Sequence, residues 1–213
     1  MFKFTPEDLP AQQLAVELAE IEIYAFSPLH EGKISLYVNI KAEGVELPDP
    51  EDPDFSHTVK PRFYTEWLDI PVAALRSKSL DCLDGYQMQY DQDSQEELGF
   101  DQPPGAIYDR MHAVFTHAEM TLSHIEGGRY KLHAHGETEF GWRFNIQTEA
   151  VLRKISFRAQ DDEEMAQPDN ERVSKLFGEY FDVSLFKPIW EKHGPEHLSW
   201  YTYEGRANHK PSR

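Results

Sequence analysis

Alternation of apolar and polar residues predicts a hairpin near the N-terminus. In KISLYVNIKAE (33–43) every second residue is apolar: Ile34, Leu36, Val38, Ile40 and Ala42. A period of two is typical of a strand that buries one face. The apolar segment IEIYAF (21–26) precedes it, and SPLHEG between them is rich in turn-forming residues. We therefore predict an antiparallel hairpin over 21–43.

A second group of strands is predicted between residues 107 and 160. Four segments alternate or carry β-branched and aromatic residues: 107–125, 129–135, 140–148 and 151–160. EGG and GETE supply the first two turns, so the four strands are predicted to form a meander. Trp142 and Phe144 alternate with polar residues and are predicted to lie in the core.

Helices are predicted at three places. In 5–20, Pro10 suits the first turn of a short helix with Leu14 and Leu18 on one face, although Leu14, Val16 and Leu18 also alternate as in a strand. Pro71 suits the first position of a second short helix over 71–83. Residues 169–193 fit two helical pieces, with Pro188 shortening or kinking the second.

These elements predict an α+β fold. We expect an antiparallel sheet, a hairpin plus a meander, with short helices packed on one face and C-terminal helices over 169–193. HLSWYTYEG near the C-terminus could add a late strand. The length of 213 residues favours one domain over 1–204, and residues 205–213 read as a mobile C-terminal tail.

The charge balance narrows the classes of partner. With 38 acidic and 21 basic residues, the formal net charge is −17. This excess repels nucleic-acid phosphates and anionic membrane surfaces, and it attracts a basic protein. The acids crowd into predicted loops around 46–54, 91–101 and 161–164. The candidate partner-binding residues are Asp49, Glu51, Asp52, Asp54, Asp161, Asp162, Glu163 and Glu164.

Cysteine usage and hydropathy point to a compartment. Cys82 is the only cysteine, so no intrachain disulfide can form, which fits a reducing environment. Asp81 and Asp84 flank it and disfavour a reactive thiolate, so we interpret Cys82 as structural. The chain has neither a signal-peptide pattern at its start nor an apolar run of about 20 residues. We expect a cytoplasmic protein.

The segment GGRYKLHAHGETEFGW (127–142) carries the strongest chemical signal. On a strand, His133 and His135 point to the same face, whereas Tyr130, Leu132 and Ala134 point to the other. If the preceding strand aligns its apolar residues with these, one polar face collects metal-binding groups: His117, Glu119, His133, His135 and Glu137. An ordinary solvated sheet face explains the same alternation, because strands place polar residues outside.

The spacing of these residues resembles the first cupin motif. Gly127 is followed after five residues by His133-Ala134-His135 and then by Glu139. The resemblance implies a metal ion held by His133, His135 and Glu139. It covers about a dozen residues: Ile146 stands where the motif has its next glycine, and the second cupin motif has no counterpart. We therefore do not carry the family's activity over to this chain.

The sequence supports two hypotheses about function. The chain lacks G-x-S-x-G, P-loop, G-x-G-x-x-G and H-E-x-x-H patterns, so serine hydrolases, nucleotide hydrolases, Rossmann dehydrogenases and zincins lose their usual sequence support. The leading hypothesis is a non-enzymatic acidic interaction domain without a cofactor, such as an inhibitor or immunity-type protein for a basic partner. The alternative is a metal-dependent or small-ligand-binding enzyme that uses the His133, His135 and Glu139 sheet face.

Overall fold

A computed structural model describes residues 1–6, 11–27, 32–48, 54–66, 68–94, 103–159, 170–189 and 201–204. The strands are β1 (Phe2–Thr5), β2 (Gln12–Leu14), β3 (Val16–Ser27), β4 (Lys33–Ala42), β5 (Val45–Pro48), β6 (Ser56–Val59), β7 (Arg62–Thr65), β8 (Leu68–Pro71), β9 (Gln87–Asp91), β10 (Gly105–Asp109), β11 (Met111–Glu126), β12 (Arg129–Thr138), β13 (Arg143–Ala159), β14 (Lys187–Ile189) and β15 (Tyr201–Glu204). Helix α1 spans Asn170–Phe177, and 3-10 turns span Val72–Ala74 and Val183–Leu185.

Strand pairing closes on itself. The path runs β12–β11–β10–β7–β4–β3–β13, and β13 also pairs with β12. Closure depends on the length of β13, whose first half pairs antiparallel with β12 and whose second half pairs parallel with β3. The short strands β1, β8, β9 and β15 extend the sheet from β13, β4, β11 and β13, while β5 and β6 form a separate hairpin.

The prediction of an α+β fold is wrong. The protein is mostly β, with 62% strand and 12% helix, and its large sheet is mixed. The hairpin over 21–43 is confirmed, because β3 and β4 pair antiparallel and Ile34, Leu36, Val38, Ile40 and Ala42 are buried. Because the strand pairing is closed, most strands have one face in the interior of the sheet. These faces pack on one another and form the core, with little need for a helical layer.

The two predicted helices before residue 84 are replaced by extended structure and turns. Within 5–20, β2 and the start of β3 adopt the strand alternative, and Leu14 is buried where β2 pairs with β1. Within 71–83, Pro71 ends β8, and a single 3-10 turn gives way to turns that bury Cys82 and Leu83. Sheet pairing and burial therefore outweigh the local helical preference.

The C-terminal helices predicted over 169–193 reduce to α1. The apolar side of α1 is buried, as Val173 and Phe177 show. Phe177 packs on Phe157 of β13 with ring centroids 4.9 Å apart. The second helix is wrong, because Lys187–Ile189 forms β14 against β15. Pro188 explains the failure: it cannot donate a helical hydrogen bond, and it drives the residue before it into extended backbone.

The predicted meander is correct in order but wrong in its last turn. Gly127 turns the chain between β11 and β12 with a φ of 53°, as EGG predicts. β12 runs on through Thr138, so the next turn falls at Gly141, with a φ of 69°, after GETE. Residues 143–148 and 151–159 of the last two segments belong to one continuous strand, β13, with a register shift between Leu152 and Lys154.

Aromatic rings fill the interior of the sheet. Phe63, Phe115 and Phe144 come from β7, β11 and β13, and their ring centroids lie 5.2 to 5.5 Å apart. Phe144 is core as predicted, whereas Trp142 is only partly buried and meets Phe4 edge to face. Aromatic pairs in this range add to the free energy gained by burial. Two polar residues of these strands, Thr65 of β7 and Ser156 of β13, are also buried.

Several predictions fall on residues that the structure does not describe. These are most of the acidic loop residues (Asp49, Glu51, Asp52, Asp161, Asp162, Glu163 and Glu164) and the tail over 205–213. The predicted loop around 46–54 overlaps β5, which pairs with β6 in a hairpin. Asp54 is described and is exposed. In the described residues, no helix is long and apolar enough to cross a membrane.

Cys82 is buried within a turn that is anchored by β12. The buried Tyr130 hydroxyl donates a hydrogen bond to the Leu80 carbonyl and accepts one of 3.3 Å from the Leu83 amide. Burial raises the pKa of the Cys82 thiol to about 12, and the Asp81 carboxylate acts in the same direction. The thiol therefore stays protonated at neutral pH, in agreement with a structural role.

We expect Cys82 to react with a chromogenic disulfide reagent only after unfolding, at least about a hundredfold more slowly in the native protein than in urea. The native thiol keeps a proton that the unfolded chain loses above about pH 8.5. Stability should therefore fall as pH rises from about 8.5 towards about 12. Thiol titration and urea unfolding at several pH values measure both effects. Fast native labelling would contradict the buried position.

Candidate metal centre

The register of β11, β12 and β13 gathers polar residues on one outer face. Glu119 lies opposite His135, and His135 lies opposite Asn145. The neighbouring rows pair Thr121 with His133 and His117 with Glu137. Because directly opposed residues share a face, the predicted collection of histidines and glutamates on one polar face is confirmed.

A β-bulge brings His117 to this face. Phe115 pairs with Thr138 and His117 with Glu137, so two steps along β11 correspond to one along β12. The extra residue is Thr116, whose hydroxyl donates to the Glu137 carbonyl at 3.3 Å. Regular alternation would put Phe115 and His117 on the same face, whereas the bulge lets Phe115 enter the core and His117 face outward. Val114, which precedes the bulge, is only half-buried.

Three side chains converge into what we call the His–Glu cluster: His117, Glu119 and His135. One potential ligand atom from each lies within 4.8 Å of the other two. The Glu119 carboxylate sits between the two imidazoles, 3.8 Å from His117 Nε2 and 3.6 Å from His135 Nε2. The three side chains are 45%, 39% and 41% exposed, so solvent reaches the cluster.

Two buried polar atoms flank the cluster without a hydrogen-bond partner among the described residues. One is Nε2 of His133, whose ring stacks on that of His135 at 5.4 Å. The other is Oδ1 of Asn145, the residue opposite His135 on β13. Unsatisfied buried polar atoms are uncommon in folded proteins and mark places where water, an ion or a functional group is needed. The surroundings of His135 are therefore unusually rich in available donors and acceptors.

The structure separates the three residues of the cupin-like motif. His135 belongs to the His–Glu cluster, and His133 stacks beside it. Glu139 lies past the end of β12, where its carboxylate accepts a hydrogen bond of 3.2 Å from the Val114 amide. The glutamate nearest to His135 is instead Glu119, on the partner strand. Motif spacing along one strand does not reveal a contact that depends on pairing between strands.

Comparison of the chain with protein-family models, with curated protein sequences and with solved structures found no match. The assignment of a site therefore depends on the geometry of these residues.

Gly136 makes the approach of β12 to the bulge possible. A Cβ atom at this position would lie 2.1 Å from the His117 carbonyl oxygen, 2.8 Å from the Phe144 ring and 2.9 Å from Ala118 Cα. Contacts this short with backbone require the strands to separate. Glycine therefore sets the spacing between the strands that carry His117 and His135.

We expect Gly136→Ala to destabilise the protein by about 1–3 kcal/mol, because the added methyl overpacks the junction between the strands. Urea unfolding monitored by tryptophan fluorescence measures the change. The same substitution should shift the NMR resonances of His117 and His135 by moving their strands apart. Wild-type stability together with unshifted histidine resonances would contradict the tight packing at this position.

Proposed function

We propose that this protein binds one divalent transition-metal ion, with zinc the best match, through His117, Glu119 and His135. The observation that carries the proposal is the convergence of two imidazoles and one carboxylate within 4.8 Å on the outer face of the sheet. Two histidines and a glutamate form a ligand set that proteins use for zinc with one position left open. Nitrogen and oxygen donors together also suit other metals late in the first transition row.

The distances support coordination with small side-chain movements. Ligand atoms around a tetrahedral zinc ion lie about 3.3 Å apart, since each is about 2.0–2.1 Å from the metal. The separations of 3.8 Å from His117 Nε2 to Glu119 Oε1 and of 3.6 Å from His135 Nε2 to Glu119 Oε2 are close to this value, and single ligand atoms of the three residues lie within 4.8 Å of one another. β-strand backbone holds all three residues, so rotation of the side chains is enough to complete the contacts.

The flanking atoms fit a supporting role. A histidine that binds metal through Nε2 needs an acceptor for its other ring N–H, which orients the ring. Asn145 lies opposite His135 and offers an unpartnered Oδ1 for this purpose. The bound ion would also bring positive charge to an acidic surface, which lowers the repulsion among nearby carboxylates. Because the ligands lie on an open face, the remaining position is accessible to water or to a side chain of another molecule.

We expect untagged protein to bind about one zinc ion per chain, and His135→Gln or Glu119→Gln to weaken binding by at least about tenfold. Competition with a chromophoric chelator measures the affinity and the stoichiometry.

Matched controls lie on the same strand. His124 Nε2 donates a hydrogen bond to the Gly127 carbonyl oxygen, and Glu126 pairs with Arg129, both away from the cluster. His124→Gln and Glu126→Gln should retain wild-type zinc affinity. Equal weakening by cluster and control variants, or zinc uptake unaffected by the cluster variants, would reject the site.

We propose as a second function that the chain is a cytoplasmic, non-enzymatic acidic domain that binds a basic protein, as an inhibitor or immunity-type protein does. The net charge of −17 favours this function, and so do the exposed Asp54 and the crowding of carboxylates at 49–54 and 161–164. Negative charge speeds encounter with a cationic surface and opposes polyanions. The single buried thiol of Cys82 suits a reducing compartment.

Binding to a basic partner should be strongest at low salt. A partner recovered by cross-linking would be identified, purified and measured against the chain by surface plasmon resonance. Replacing Asp161, Asp162, Glu163 and Glu164 with their amides should slow association about tenfold with little change in dissociation. The same change at Glu126 and Glu149, which already pair with Arg129, serves as a control. An association rate insensitive to both salt and the amide variant would exclude electrostatic recognition.

A further inference from the structure

A cleft lies on the outer face of a different part of the sheet. Its volume is about 360 Å³, which suits a small molecule. Strands β4, β7, β10 and β11 meet there, and each contributes side chains. The cleft is lined by Tyr37, Arg62, Tyr64, Glu66, Tyr108 and His112. Sequence reasoning missed this group because its members are scattered from residue 37 to residue 112 and meet only through strand pairing.

Arg62 is the fixed cation of the cleft. Its Nε donates to Asn39 Oδ1 at 2.6 Å, and its Nη2 donates to the Tyr37 hydroxyl at 2.9 Å. Its guanidinium also lies 5.6 Å from the centroid of the Tyr64 ring. In the part of the chain that the structure describes, Arg62 forms no ion pair with a carboxylate. The acceptors of its two hydrogen bonds are both neutral groups. Guanidinium N–H groups beyond these two bonds can bind an anion.

Aromatic rings form the walls. His112 stands between two tyrosines, with ring centroids 4.8 Å from Tyr108 and 5.9 Å from Tyr64. The Tyr64 hydroxyl is hydrogen-bonded to His112 Nδ1, which fixes both rings. Tyr108 is 40% exposed, so its side chain is partly open to solvent. Burial raises the pKa of the Tyr37 and Tyr64 hydroxyls, so both remain neutral groups at physiological pH.

A strained turn holds two of these rings together. Arg110 joins β10 to β11 with a φ of 64°, a left-handed conformation that non-glycine residues rarely adopt. The turn makes Tyr108 and His112 direct cross-strand partners. Strained backbone persists where the surrounding structure enforces it, and such positions cluster at functional sites. The turn at Arg110 therefore sets the pairing of two residues that line the cleft.

We propose that this cleft binds a small aromatic monocarboxylate, with the carboxylate on Arg62 and the ring against Tyr64 and Tyr108. A planar guanidinium matches a carboxylate, and open aromatic faces match a flat ring. Glu66 lines the same cleft and repels a second negative charge, which favours a monoanion over a dianion. The overall charge of −17 further disfavours polyanions. This proposal is independent of metal binding at the His–Glu cluster.

Benzoate and benzamide provide the first test, because they share a ring and differ in charge. We expect benzoate to bind at least about tenfold more tightly than benzamide in ligand-observed NMR titrations with wild-type protein. Terephthalate, which carries two carboxylates, should bind more weakly than benzoate. Equal binding of benzoate and benzamide, or no binding of either, would overturn the proposal whatever the variants do.

Variants locate the contacts. Arg62→Gln should weaken benzoate binding about tenfold or more and leave weak benzamide binding unchanged, whereas Tyr108→Ala should weaken both ligands. Glu66→Gln should narrow the gap between benzoate and terephthalate. Arg129→Gln, at a charged pair elsewhere on the sheet, is the matched control and should bind as wild type. Benzoate affinity that survives Arg62→Gln in a folded variant would place the anion elsewhere and reject the assignment.

Discussion

The register of β12 between β11 and β13 is the constraint on which both the core and the His–Glu cluster depend. Ala134 faces Met120 and Ile146 inside the sheet, and His135 faces Glu119 and Asn145 outside it. A slip of one residue would exchange these two sets, burying imidazoles and exposing the core. The free energy of burying the apolar set therefore also holds the chemical groups in position.

Departures from regular strand geometry convert this surface into specific sites. The bulge at Thr116 turns His117 outward while Phe115 joins Phe63 and Phe144 inside. The left-handed residue Arg110 reverses the chain immediately before β11 and sets Tyr108 against His112. One long strand thus contributes a histidine to each site, because irregularities at two points redirect its side chains.

The two sites differ in the charge they accept, and this relates them to the acidic character of the chain. The His–Glu cluster suits a cation, in keeping with a net charge of −17. The cleft around Arg62 suits an anion, although the negative net charge of the chain repels anions. The local hydrogen-bonding groups of the cleft must therefore outweigh this repulsion. Short-range contacts decide binding at a cleft of small volume, while the net charge acts mainly on large, highly charged partners.

Much of the sheet could be predicted from the sequence, because period-two alternation is a local property. Alternation predicted the β3–β4 hairpin and the shared polar face of β11 and β12. The turn at Gly127 was predicted from the turn-forming residues EGG. The tertiary structure decided the rest. Within the predicted helices, residues 12–20, 71–83 and 187–189 instead form strands or turns, because backbone pairing with distant strands or burial of Cys82 overrides the helix-compatible spacing. The choice of Glu119 over Glu139 beside His135, and the assembly of the Arg62 cleft, likewise require contacts between strands that are remote in sequence. Alternation along a strand predicts which face of the sheet each residue occupies. Strand pairing and bulges determine which residues come into contact.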